Sequence, residues 1–311
     1  MFVSSGCILT RIFETNLINF SSDKDSVHQM GIITLTTDMG LTDYYVAVLK
    51  GNLFKLAPGA SVVDITHQVR PFDIADASYY IQASFLEFPE GTIHIIGVDS
   101  EPIINSSNGA YPSIMLFKGH YFISNDNGIF ALILRGEKPE GFWRIDNVLS
   151  NPKGLRFPVK NIFVPTAARI LAGETPDTIG SEETSWRVAH TVNAVIEENL
   201  IKGSIVHIDH YGNAITNITR EIFARFEDAP FTILFRKREY YIDEISSTYN
   251  DVAPGERLAF FNDNNLLEIA INKGATGNGG GADSLFGLRV HDLVRVEFNP
   301  RGSAKTLDSL F

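Results

Sequence analysis

Two hydrophobic periods alternate along the first half of the chain. β-Branched and apolar residues crowd 32–36, 61–65 and 92–98, short runs that read as strands. Between them, 44–56 and 74–88 place apolar residues at helical spacing. In the second, Ala75, Ala77, Tyr80, Ile81 and Phe85 lie near one face, and Pro58-Gly59 ends the first. Further strands are predicted at 113–117, 121–124 and 129–134, and a helix over 162–171. This rhythm predicts a largely parallel sheet covered by helices.

The pattern changes near Gly173. Residues 173–183 are rich in Gly, Pro, Thr, Ser and acids, as in a linker. From Ala189 onward come short β-rich runs at 203–208, 231–235, 239–242, 257–261, 267–271 and 293–298, several separated by Asn- and Gly-rich turns. They predict a small antiparallel barrel or sandwich. The expected fold class is α/β, an N-terminal domain (30–175) with a largely parallel sheet followed by a smaller C-terminal antiparallel β-barrel domain (191–311). A linker at 176–190 is expected between them.

Composition narrows the function classes. At 311 residues with 44% hydrophobic and 20% charged positions, the chain has the profile of a globular protein with a sizeable core. A net charge of −11 argues against a nucleic-acid partner, whose phosphates reward a basic face. The single cysteine, Cys7, rules out an intrachain disulfide framework and a cysteine-based zinc site. It fits a reducing, cytoplasmic setting. No apolar run reaches the ~18 residues of a membrane span, so no membrane partner is expected. Residues 1–29 mix a short apolar start with Arg11, Glu14, Asp23 and Lys24 and lack a signal-peptide pattern. They are expected to be a disordered extension or a mis-assigned start ahead of Met30; the alternative is an arm packed on a neighbour.

Chemistry concentrates at four places. The first is Thr37-Asp38-Met39-Gly40 with Asp43, where a predicted strand gives way to a helix. Open α/β sheets build their ligand crevices at such strand ends. One glycine and no lysine make this loop unlike a phosphate cradle. The second is Val63-Asp64-Ile65-Thr66-His67, followed by Pro71-Phe72-Asp73. The third runs from Gly91-Thr92-Ile93-His94 to Val98-Asp99, with Asn125-Asp126-Asn127-Gly128 downstream. The fourth is Ile208-Asp209-His210-Tyr211-Gly212-Asn213-Ala214-Ile215.

In this order, the four stretches resemble the S-adenosylmethionine (SAM) hydrolases, also called SAM hydroxide adenosyltransferases, and the related fluorinases and chlorinases. The resemblance covers roughly 31–298. It implies an N-terminal α/β domain, a C-terminal β-barrel, and a homotrimer with SAM between the N-terminal domain of one subunit and the C-terminal domain of the next. It implies no cofactor, with SAM or adenosine as substrate or ligand. By matching motif, Asp38 takes the ribose hydroxyls, Asp43 and Asp209 meet the methionine ammonium and its surroundings, and Asn213 reads the adenine edge; Phe72 is a further candidate, to stack on the ligand. A carboxylate accepts two hydrogen bonds from a cis-diol and satisfies a buried ammonium.

These residues also have ordinary readings. Asp38 is then a loop acid, Asp43 a first-turn residue favoured by the helix dipole, and Phe72 a core aromatic. Asp209 and Asn213 become parts of a hairpin turn, and Asp64 and His67 satisfied structural groups. The 278–281 run is then a flexible turn.

The chain departs from the resemblance at the reaction centre. The hydrolases carry a water-activating Asp-Arg-His set, of which Asp99 matches the aspartate. No arginine occurs between Asp99 and Arg135, and Pro158 stands in the place of the histidine. Proline relays no proton and donates no hydrogen bond. The halogenase serine corresponds to Val159, and the halogenase tryptophan to Ile215. Lys160 supplies a charge nearby, without arginine's rigid fork. The resemblance therefore implies a SAM hydrolase with Asp99 as its catalytic residue. The alternative is a SAM- or adenosine-binding protein of the same fold without turnover. A third reading is another nucleoside ligand, handled by the divergent 100–108 loop.

Overall fold

A computed structural model describes residues 31–104, 109–146, 154–189, 192–226, 229–275 and 277–299. The expectations for 1–29 and for Asn105 to Asn108 lie outside the described residues.

The fold is mixed α/β and begins with β1 (Ile32–Thr37), α1 (Tyr45–Leu56), β2 (Ser61–Thr66), α2 (Ile74–Ser84) and β3 (Ile93–Gly97). Then come β4 (Pro112–Phe117), β5 (His120–Asn125), α3 (Ile129–Leu134) and β6 (Gly141–Ile145). A π-helical turn (Val159–Phe163) leads into α4 (Val164–Leu171), α5 (Pro176–Ile179) and β7 (Gly180–Glu182). The seven strands order as β2-β1-β3-β5-β4-β6-β7. β1 runs parallel to β2 and β3, and β3 to β5, whereas β4, β6 and β7 add antiparallel pairings. The parallel half carries the helix-covered strands, and β3 is buried along its whole length. One face packs Ile33, Leu35, Ile93 and Ile95 against Leu49, Leu53, Phe163 and Val164. The other packs Ile96 and Val98 with Ala77, Ile81, Phe130 and Ile133. Each such aliphatic side chain taken out of water contributes roughly 1.5–3 kcal/mol before entropic offsets.

Residues 129–134, expected as a strand, are the helix α3. Gly128 enters with φ 110 and Asn127 Oδ1 accepts the Ile129 N–H, which starts a helix. Five of its six residues are buried, so no polar face survives in the sequence to mark the helical period. Within the 176–190 stretch expected to link the two halves, α5 and β7 are regular structure, and β7 pairs with β6.

The second half contains β8 (Val195–Glu197), β9 (Leu200–Ile208), β10 (Ala214–Thr219), α6 (Arg220–Ala224), β11 (Phe231–Phe235) and β12 (Lys237–Ile242). β13 (Arg257–Phe261), β14 (Leu266–Ile271), α7 (Ala282–Phe286) and β15 (Leu293–Phe298) complete it. These strands form an antiparallel sheet of order β12-β11-β15-β9-β10-β14-β13, with β8 added on β9. Its end strands, β12 and β13, approach one another, giving a barrel-like curl around Ile201, Ile205, Ile269 and Val296. β9 alternates in burial from end to end, as one dry face and one wetter face require.

Candidate functional site

The register Thr37↔Gly97 sets the ends of β1 and β3 side by side. Asp38 and Asp99 therefore leave the sheet on neighbouring strands, at the carboxyl edge where open α/β sheets bind ligands. Asp38 Oδ2 accepts the Phe72 N–H at 2.9 Å. Phe72 adopts φ 63, a strained region for an aromatic residue, and is 67% exposed, so it is not a core side chain. The turn that holds it is clasped by Arg70. The Arg70 carbonyl accepts the Asp73 N–H at 3.0 Å, and its guanidinium reaches Asp73 at 3.1 Å. The Arg70 N–H donates to Asp76 Oδ2 at 3.0 Å. Asp43 is exposed in the turn just before the N-cap of α1, one residue outside the first turn.

Asp99 is held in a left-handed conformation, φ 45. Asn127 Nδ2 donates to the carbonyls of Val98 (3.1 Å) and Asp99 (2.9 Å), and Asn125 Nδ2 to that of Glu101 (3.1 Å). Two amide side chains of the Asn125-Asp126-Asn127-Gly128 turn thus fix the backbone around Asp99. In the π turn, Pro158 is buried at its start and Val159 is fully buried. A Cβ added at Gly97 would come within 2.7 Å of a Val159 methyl, so the π turn presses directly on the end of β3. π turns recur at functional sites; this one sets hydrocarbon, through Val159, against the end of β3. Lys160 makes no hydrogen bond or ion pair among the described residues. Arg187 reaches the far end of the Asp99 loop, donating from Nη1 to the Gly109 carbonyl at 3.4 Å.

The fourth motif is the tight connection between β9 and β10. Asp209 Oδ1 accepts the N–H groups of Tyr211 (2.9 Å) and Asn213 (2.8 Å), as a hairpin turn would. The same turn also builds a polar network. Asn213 Nδ2 donates to Asp209 Oδ2 (3.0 Å) and to the Tyr249 hydroxyl (3.1 Å). The Tyr249 hydroxyl donates to Glu268 Oε1 (3.0 Å), and Asn262 Nδ2 donates to Glu268 Oε2 (3.1 Å). With both amide hydrogens of Asn213 engaged, its Oδ1 remains to accept from a ligand amino group. The glycine-rich run packs on this turn, since a Cβ at Gly281 would lie 2.2 Å from the Tyr211 carbonyl oxygen. Such backbone-to-backbone approach is what glycine permits.

Burial, helped by neighbouring Asp209, raises the Glu268 carboxyl above its ordinary range. Burial, together with the Glu268 and Asp209 charges, pushes the Tyr79 hydroxyl up to about 12. Tyr79 stacks on His207 at 4.4 Å, and His207 Nδ1 stands 3.4 Å from Asp76 Oδ1. Burial alone would raise Asp76, but His207 and Arg70 outweigh it and hold that carboxyl below its usual value. α2 and β9 are thereby joined by a polar contact.

Asp38, Phe72 and Asp99 gather at one strand edge, and Asp209 and Asn213 at another. Among the described residues no hydrogen bond or ion pair joins the two sets. Sequence reading missed Tyr249, Glu268 and His207. Tyr249 and Glu268 sit in a short turn and a strand with no motif around them, and His207 stands just before the fourth motif; only packing, of α2 on β9 for His207, brings them to Asp209 and Asp76.

The fold is that of a solved structure of an uncharacterized conserved protein from Thermotoga maritima, with a TM-score of 0.74 and 27% identity over 85% of this chain and 99% of that one. The architecture and its paired acidic strand ends place the chain in a class of α/β proteins with an antiparallel second half. Residues 33–180 match the model of the SAM hydroxide adenosyltransferase N-terminal domain, and 203–295 that of the C-terminal domain. The chain belongs to the SAM hydroxide adenosyltransferase family. It is 29% identical over 270 residues to a (R)-S-adenosyl-L-methionine hydrolase of Salinispora tropica, covering 85% of this chain and 97% of the relative. With a hydrolase of the same name from Thermus thermophilus it shares 27% over 248 residues, 77% of this chain and 91% of the relative. A fluorinase of an Actinoplanes species is 24% identical over 217 residues, 61% of this chain and 72% of the relative.

Proposed function

We propose that this protein is a SAM hydrolase. Water attacks the ribose C5′ of SAM, the C5′–S bond breaks, and methionine leaves as a neutral thioether; adenosine forms and one proton is released. A sulfonium is a good leaving group, so placing the water and excluding bulk solvent suffice for a slow reaction, with the proton passing to solvent. Asp99 polarises the water. Asp38 holds the ribose hydroxyls with Phe72 stacked beside it, Asp43 and Asp209 meet the methionine ammonium, and Asn213 Oδ1 accepts from the adenine amino group. The observation that carries this reading is the pairing of Asp38 and Asp99 on adjacent strand ends in a chain whose relatives include several SAM hydrolases. Missing general-base assistance typically slows a reaction ~10²–10⁴-fold, so turnover is expected to be slow.

The division into 30–175 and 191–311, the homotrimer and the cytoplasmic location belong to the same reading. A trimer that sets the Asp38 edge of one subunit against the Asp209 turn of the next would complete the site. The exposed Leu41, Tyr44 and Phe72 beside Asp38 suit such cover. Among the described residues no helix is long and apolar enough to cross a membrane.

A second reading is a SAM or adenosine binder without turnover. The absence of the arginine after Asp99 and the proline at 158 in place of the histidine favour it. Incubation with SAM in ¹⁸O-enriched water separates the two. Adenosine labelled at the 5′ oxygen, lost in Asp99→Ala, supports the hydrolase; bound but intact SAM supports the binder. Absence of both binding and turnover overturns both.

A further inference from the structure

The second sequence motif, Asp64 to His67, takes no direct part in that reading, yet the His67 side chain ends on Thr37, the residue before Asp38. His67 is buried, and its Nδ1 lies 2.7 Å from Thr37 Oγ1, on the last residue of β1. Its Nε2 stands 3.1 Å from Asp64 Oδ1, and Asp64 Oδ2 in turn accepts from Lys50 Nζ at 2.6 Å. The four groups form a chain from the surface of α1 to the buried end of β1. The Nε2–Asp64 approach is an ion-pair contact without hydrogen-bond alignment, and the hydrogen bond that His67 makes with its ring is the one between Nδ1 and the Thr37 hydroxyl. Partial burial pushes the Asp64 carboxyl up, but Lys50 and His67 overcome this and hold it below its ordinary value.

The backbone around this chain is tied to the same place. The His67 carbonyl accepts the Gly40 N–H at 2.8 Å, and the Thr37 carbonyl accepts the Val69 N–H at 3.3 Å. Thr37 Oγ1 also accepts the Met39 N–H at 3.4 Å. Thr37, Met39 and Gly40 bracket Asp38, whose own Oδ2 is held by Phe72. Asp38 itself is left with one carboxylate oxygen, Oδ1, for a ligand.

We propose that the Lys50–Asp64–His67–Thr37 relay is a positioning device for Asp38: it fixes the strand end from which this carboxylate meets the ribose diol of the ligand. His67 and Thr37 are positioning residues. The inference deepens the nucleoside-binding reading and rests on it, whether or not the protein turns SAM over.

The test compares adenosine with 2′,3′-dideoxyadenosine, which lacks the diol, by calorimetry on wild-type protein, Thr37→Val and Thr37→Ser. Valine keeps the shape of threonine and removes its hydroxyl. A net hydrogen bond is worth ~1 kcal/mol, so the wild-type preference for adenosine is expected to shrink about five- to tenfold in Thr37→Val. Thr37→Ser is expected to restore it. A merely structural role would weaken both ligands alike; an unchanged preference in Thr37→Val overturns the inference while leaving the nucleoside reading intact. A wild type that binds adenosine no better than the dideoxy analogue overturns the placement of Asp38 on the ribose, and this inference with it.

Discussion

His94 makes the stability of this protein sensitive to mild acid. It lies fully buried on β3, its ring stacked on Phe122 at 4.9 Å and met edge-on by Phe85 and Phe88. Nδ1 is 2.7 Å from Thr34 Oγ1 and Nε2 is 3.3 Å from His120 Nδ1. Burial first, and His120 second, lower its pKa from 6.5 to about 3. The sign follows from which state takes the proton. Above 6.5 the ring is neutral in both states, so its contribution is fully present. Below 6.5 the unfolded chain binds a proton that the folded ring refuses, and stability falls until the pH nears the folded value. By about pH 5 this amounts to a loss of about 2 kcal/mol, nearly independent of the folded value as long as that stays below about 4. Replacing His94 alone would strand the buried Thr34 hydroxyl, so the perturbation is the double variant Thr34→Val/His94→Phe, which removes the Thr34–His94 pair and keeps the aromatic stack, at the cost of the longer His120 contact. Denaturant unfolding of both proteins near pH 7.5 and near pH 5 measures the effect. The wild type is expected to lose about 2 kcal/mol more than the double variant between the two conditions. An equal loss in the two proteins would refute the assignment of the acid sensitivity to His94.

Two further outcomes follow from the neighbourhood of Asp99. Gly97→Ala drives a Cβ to 2.7 Å from Val159 and is expected to destabilise by about 1–3 kcal/mol, with Val159→Ala in the same chain recovering most of it in thermal unfolding. Asn127→Asp keeps the acceptor for the Ile129 N–H but loses both donors to the Val98 and Asp99 carbonyls, freeing Asp99 from its φ of 45. SAM turnover is then expected to drop about tenfold or more with little change in KM; wild-type kcat in this variant would show that the Asp99 conformation does not matter to the reaction.

Much of the first half was legible because its signals are local. Runs such as 32–36 and 61–65 are rich in β-branched residues, and the helical face of 74–84 repeats over several turns, so chain position and period sufficed to put Asp38 and Asp99 at strand ends. The same logic failed at 129–134, where burial on every side erased the helical period, and at β6, whose five residues lack a clean alternation. The order of the four motifs was enough to identify the family, and the absence of an arginine after Asp99 and the proline at 158 could be read directly.

What the chain alone did not disclose are contacts between residues far apart in it. Thr37 and His67 are 30 positions apart, Asp38 and Phe72 are 34, and Tyr249 and Glu268 are 19; no local pattern links them. Their meeting depends on the register of β1 with β2 and β3 and of β13 with β14, which is set by how whole faces bury. The left-handed turns of Phe72 and Asp99 are of the same kind, because neither residue favours φ above zero by itself. Hydrogen bonds from Asn127 and a turn clasped by Arg70 hold them there, and those partners arrive only when the sheet closes. Local composition and period therefore determined the elements and the chemistry carried at their ends. Tertiary packing alone decided which of those groups touch, because long-range pairing is selected by the burial of entire faces.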